Sequence, residues 1–133
     1  MVGTDGPAAT IVLPAEPASA ARAREFVRRL VRRSEHSELE DAALLCVTEL
    51  VANVSLHAHS AECVITVVEE PGDLLIEVAD GDADGHYPTM EQPGRMSEHG
   101  RGLRIVDSLA GEWGVRPGHD EGKSVWLRLF PHR

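Results

Sequence analysis

Residues 49–58 read ELVANVSLHA, and the reading of this stretch decides how the rest of the chain folds. Leu50, Val51 and Val54 continue an apolar stripe that starts at Leu44, Leu45 and Val47, the spacing of a helix packed on a core. Along the same segment Glu49, Asn53 and His57 recur every fourth residue. Steps of four advance about 400°, a drift of about 40° each, so the three polar side chains form one continuous ridge. No Gly or Pro falls between Glu38 and His57, so the helix is expected to run to about His57. Ser37, followed three residues later by Glu40, has the spacing of a capping box, in which each side chain satisfies a free backbone N–H. This predicts a helix start near Glu38.

Outward from this helix the pattern is β-α-α-β-β-loop-α-β-β. Residues 1–8, with Gly3, Gly6 and Pro7, read as a flexible start, and residues 9–133 as a single domain. Ala9 to Leu13 is β-prone and stopped by Pro14, as an edge strand would be. From Ser19 to Arg33, Ala20, Ala23, Val27, Leu30 and Val31 fall on one helical face, with arginines mostly on the other. CVITVVEE and LLIEVAD, separated by Pro71-Gly72-Asp73, read as a hairpin. Both contain continuous apolar runs, so at least one face should be covered by helices. Leu103, Ile105, Val106, Leu109 and Ala110 predict a short helix ended by Gly111. WGVRP and KSVWLRLF predict two last strands, with Ser124 facing inward at the start of the second. Helices separate from strands along the chain, which predicts an α+β two-layer sandwich: a mixed, mostly antiparallel sheet with helices on one face.

Composition narrows the function. The chain has 133 residues, 42% of them hydrophobic, which suits one compact domain. With 13 Lys+Arg against 22 Asp+Glu, the formal charge of −9 gives nucleic acid or an anionic membrane no general reason to bind, and a basic partner protein is easier to accommodate. The N-terminus lacks a basic region followed by an apolar stretch, and nothing approaches the roughly 18 apolar residues of a membrane span; the expectation is a cytoplasmic protein. Cys46 and Cys63 read as small buried thiols rather than a disulfide.

Four segments carry chemistry. The ridge combines a base for a water or hydroxyl (Glu49), an oxygen ligand for Mg²⁺ (Asn53) and a donor for phosphate (His57), although a wet helix side has the same pattern. In VADGDADG, Asp80 directly follows an apolar strand and can accept a hydrogen bond from a ligand's exocyclic amine, while Gly81 and Gly85 allow close backbone approach. Asp80, Asp82, Asp84, Gly85 and Glu91 match calcium-loop spacing, but a strand leads in where a helix is required, and Pro88 lies inside the loop. Residues 81–100 hold four glycines, two prolines and hardly any aliphatic side chain, the composition of a lid or binding loop. Gly100 and Gly102 flank Arg101 at a helix start, where backbone N–H groups and the helix dipole attract anions. GHDEGKSV approaches a phosphate-binding P-loop but has Pro117 where glycine is needed, and a strand rather than a helix follows. His57 and His59 have no cysteine near enough to complete a zinc set.

The order of these segments resembles the GHKL, or Bergerat-fold, ATP-binding superfamily. E-L-V-x-N-x-x-x-H-A is followed by a strand-ending aspartate, a Gly-rich lid, H-G-R-G-L-x-I-V and G-K-S-V-W-L. Within that superfamily the chain is most similar to small single-domain anti-sigma-factor serine kinases, over roughly residues 10–130. The resemblance implies ATP and Mg²⁺ as ligands, with Glu49 as catalytic carboxylate, Asn53 as the Mg²⁺ ligand and His57 beside the phosphates. Asp80 would bind the adenine amino group; Gly100, Arg101 and Gly102 would form the phosphate-facing end of the lid; and Ser124 would support the adenine from the last strand. It also implies a serine/threonine kinase that acts on an anti-sigma-factor antagonist protein and sequesters a sigma factor, and a homodimer. The alternative is a non-catalytic, nucleotide-dependent interaction module. One departure stands out: Asp82 occupies a position where many members have glycine, and a carboxylate there can repel nucleotide.

Overall fold

Apolar spacing and turn chemistry build a helix layer on one side of a sheet. The computed structural model describes residues 8–57, 61–80, 98–117 and 123–131. In chain order the elements are β1 (Ala8–Pro14), α1 (Ser19–Arg33), a 3₁₀ turn (Ser37–Leu39), α2 (Glu40–His57), β2 (Glu62–Glu69) and β3 (Leu74–Asp80). They are followed by α3 (Glu98–Leu109), β4 (Glu112–Pro117) and β5 (Lys123–Leu129). The strands lie in the order β1-β2-β3-β5-β4. All four pairings are antiparallel, so the expected mixed character is absent among the described strands.

Helix α1 buries Ala23, Val27 and Val31, one residue per turn, and its first hydroxyl anchors it: Ser19 Oγ donates to the Pro14 carbonyl at 2.6 Å. Ser34, in extended conformation, ends the helix and returns its N–H to the Val31 carbonyl. Helix α2 is buried along Ala43, Cys46, Val47, Leu50, Val51 and Val54, and packs against α1, α3 and β3. Each Val or Leu removed from water there contributes roughly 1.5–3 kcal/mol, so packing rather than local propensity holds the helix.

The capping box is not formed. Helix α2 proper starts at Glu40, after the 3₁₀ turn. The carboxylate of Glu40 instead accepts from Arg32 Nε at 2.8 Å and Nη2 at 3.1 Å. That guanidinium holds Glu40 below the ordinary carboxylate range. A two-point charged bond to an arginine on the neighbouring helix outcompetes a single bond to a backbone N–H. Just before this turn, buried His36 meets the Glu70 carbonyl through Nε2 at 2.6 Å, tying the approach to α2 to the β2–β3 turn.

The sheet's pleat separates two faces. Cys63, Ile65 and Val67 of β2, Leu74, Ile76 and Val78 of β3, and Val125, Leu127 and Leu129 of β5 join the helices in one core. The opposite face carries Thr10, hydroxyl-bonded to Thr66 at 3.1 Å, together with Glu77, Trp126 and Arg128. Gly114 lies opposite Trp126, where a β-carbon would come within 3.0 Å of the indole. No helix among the described residues is long and apolar enough to cross a membrane.

Candidate functional site

Helix α2 carries Glu49 and Asn53 one turn apart, on either side of the fully buried Leu50 and Val51. Asn53 is 8% exposed and Glu49 is half-buried. A carboxamide taken this far out of water is costly unless its polar atoms are used. Asn53 has an interaction of its own within the protein, and its carboxamide oxygen is a hard donor of the kind Mg²⁺ takes. One turn before Glu49 lies Cys46. Burial, and then the Glu49 charge, push its thiol up to about 12, so it is a protonated, unreactive thiol at neutral pH. Both cysteines are free and buried, as their positions in the sequence suggested. His57 is the last residue of α2, and its side chain lies outside the described residues.

Asp80 is the final residue of β3. Its backbone register runs across the sheet as one row, Leu13–Cys63–Asp80–Lys123–Pro117. Leu13 and Cys63, at 1% and 0% exposure, belong to the helix-side core. The side chain of Asp80 lies outside the described residues. Helix α3 is on the helix-covered side too, with Val106 in the shared core and Asp107 accepting from Trp113 Nε1 at 2.7 Å.

Gly100 and Arg101 fall inside the first turn of α3, which starts at Glu98, and Gly102 begins the second, rather than all three lying ahead of the helix. The first four N–H groups of a helix have no partner within it, so this turn still presents donors to an anion. The side chains there, and the whole of residues 81–97 with Asp82, Asp84 and Glu91, lie outside the described residues, as does the turn 118–122.

Ser124 requires a correction. It pairs with Ala79, one row away from Asp80, and its hydroxyl donates to Glu77 Oε2 at 2.6 Å on the face without helices. At 2% exposure it is buried, but on the opposite side of the sheet from α2 and its Asn53. The physical reason is strand parity: Val125, Leu127 and Leu129 face the helices, so Ser124 cannot. Lys123 holds the position across from Asp80, and neither it nor Glu77 was singled out from the sequence. The alternation in KSVWLRL was the signal available.

The sequence profile described as histidine kinase-like ATPase domain matches residues 13–129. No curated protein is significantly similar to the chain. Among solved structures, the histidine kinase domain from Erythrobacter litoralis EL346 blue-light activated histidine kinase superposes with a TM-score of 0.54 at 21% identity, over 88% of this chain. The match spans 61% of that protein's chain, and at this identity the likeness is one of fold.

Proposed function

This chain belongs to the histidine kinase-like ATPase domain family, a GHKL-type ATP-binding fold, and from that premise we propose that it is an ATP-dependent protein serine/threonine kinase. In this reading it binds Mg·ATP, phosphorylates a small anti-sigma-factor antagonist, and sequesters a sigma factor when free of that antagonist. The observation that carries the reading is half-buried Glu49 one turn from buried Asn53 on the helix that packs against β3, the strand whose last residue is Asp80.

Each residue has a distinct task. Asp80, an acceptor only, takes the hydrogen bond of the adenine amine. Asn53 offers its carboxamide oxygen to Mg²⁺ and His57 stands one turn further towards the phosphates. The start of α3, with Gly100, Arg101 and then Gly102, offers backbone N–H groups and a guanidinium to the same anion. Glu49 orients the attacking hydroxyl and accepts its proton. Bound Mg²⁺ supplies neutralisation of the charge that develops on the phosphoryl oxygens. The protein's own contribution is positioning and electrostatics, because phosphoryl transfer asks for little covalent chemistry from the enzyme.

The measurement is transfer of labelled phosphate from ATP to candidate antagonist proteins. Glu49→Ala and Asn53→Ala are each expected to lower transfer by at least about a hundredfold. Equal transfer in wild type and Glu49→Ala would remove Glu49 from the chemistry. Binding of Mg·ATP without transfer to any partner would favour the non-catalytic interaction module.

A further inference from the structure

We propose that the outer face of α1 is a docking surface for an acidic helical segment of a partner protein, held through Arg22, Arg29 and Arg33. It shares no residue with the nucleotide site and does not rest on the ATP-binding reading.

Charge is segregated along the chain. Arg22, Arg24, Arg28, Arg29, Arg32 and Arg33 of α1 face a single acid of that helix, Glu25, a net of +5 in a chain whose formal charge is −9, which leaves −14 elsewhere. Three of the six arginines are engaged with α2. Arg32 and Arg28 lie 2.8 Å and 3.7 Å from the Glu40 carboxylate, and Arg24 donates to Thr48 Oγ1 at 3.4 Å. The other three point elsewhere. Steps of seven and eleven residues return to within about 20° of whole turns, so Arg22, Arg29 and Arg33 form one stripe about 16 Å long. All three are exposed, on the side of the helix away from buried Ala23, Val27 and Val31. Arg29 lies 3.5 Å from Glu25, which gives its closer contact, 2.8 Å, to Arg28. Arg22 and Arg33 make no ion pair among the described residues.

The helix itself gains little from this stripe. Arg22 stands in the first turn, where the helix dipole favours anions and no acidic side chain is present, and Arg29 and Arg33 are like charges four residues apart. Only Arg33, in the last turn, suits the dipole. A second helix laid alongside repeats its own side chains at the same intervals of seven and four residues, so each guanidinium can take one carboxylate in a two-point bond. An extended strand presents one face about every 7 Å and misses the interval of about 10 Å between Arg22 and Arg29. A membrane or a nucleic-acid duplex fits less well than a narrow acidic helix. A broad polyanion laid on α1 would also meet exposed Glu16 just before the helix and exposed Glu35 and Glu38 just after it, and would be repelled by the acidic remainder of the chain.

The test is fluorescence anisotropy of the full chain with a labelled helical peptide of about 15 residues that carries glutamate at intervals of seven and four, and with its glutamine counterpart. The glutamate peptide should bind at least about tenfold more tightly than the glutamine one, with affinity falling as salt rises. Arg22→Glu, Arg29→Glu and Arg33→Glu together should lower that affinity by at least about tenfold with the unfolding midpoint unchanged, and Arg22→Gln alone by about threefold. Arg104→Gln, exposed on α3, should change it by less than about threefold. Failure of wild type to bind the glutamate peptide, equal binding of the two peptides, or equal binding by wild type and the Arg22 and triple variants overturns the proposal. So does tighter binding to phosphatidylserine vesicles or to duplex DNA that the triple variant loses, which would give the stripe to a phosphate surface instead.

Discussion

On the helix-covered face of the sheet, Cys63, Ile65, Ile76, Val78, Val125 and Leu127 are each no more than 2% exposed. The open face one pleat away mixes Thr10, Thr66, Glu77, Trp126 and Arg128. The covered face is held by non-directional burial; the open face buries Val68 and Leu75 and adds directed contacts, such as Ser124 to Glu77 and Arg128 lying 6.0 Å from the Trp126 ring centroid. The difference shows that burial alone is enough to hold the covered face, whereas the open face also depends on which polar partners the strand register brings together.

Three substitutions would break or sharpen this contrast. Leu50→Ala, in α2 at 1% exposure, removes packing from the covered side and should cost about 2–5 kcal/mol in denaturant unfolding. A cost near zero would mean that the helix layer is not what stabilises the sheet. Ser124→Ala takes the hydroxyl from the Glu77 carboxylate on the open side and should cost about 1–2 kcal/mol, well short of the core truncation. If it matched Leu50→Ala, the two faces would not differ in kind.

The smallest effect concerns the open-face cluster of Glu70, Asp73 and Arg128, in which Arg128 Nη1 lies 3.8 Å from Glu70 and 3.5 Å from Asp73. Burial first, then the hydrogen bond and charge of Asp73, hold the Glu70 carboxyl above its ordinary range, with Arg128 only partly offsetting them. A carboxyl raised in the folded chain binds its proton more readily there than when unfolded. Its contribution is therefore favourable below the unfolded value of about 4.3 and is lost as pH rises through the higher folded value. Glu70→Gln should accordingly raise the unfolding midpoint slightly at pH 7, with the gain shrinking to nothing in acid. A midpoint difference that grows as pH falls would reverse the assignment.

Much of this was legible before any coordinates. The bounds Ser19 to Arg33 and the end of α2 at His57 follow from apolar periodicity, and the hairpin around Pro71-Gly72-Asp73 follows from turn chemistry. Glu49 and Asn53 were legible because a four-residue recurrence on a helix is a purely local geometry. The start of α2 was not, because Glu40 found a partner on another helix, Arg32, and a capping box considers only its own four residues. The facing of Ser124 was not legible from the serine itself, because its neighbours Val125, Leu127 and Leu129 carry the parity that turns it away from the helices.

By itself the amino-acid sequence determined the elements, their order, the α+β class and the polar ridge of α2, all consequences of periodicities that need no partner to be read. Only the tertiary structure decided which residues share a row: that Lys123 stands across from Asp80, that Ser124 answers Glu77 from behind, and that Glu40 belongs to Arg32. The physical reason is range. Helix and strand periods are set by bonds a few residues apart, whereas register and ion pairing are set by competition among all the partners that folding brings within reach.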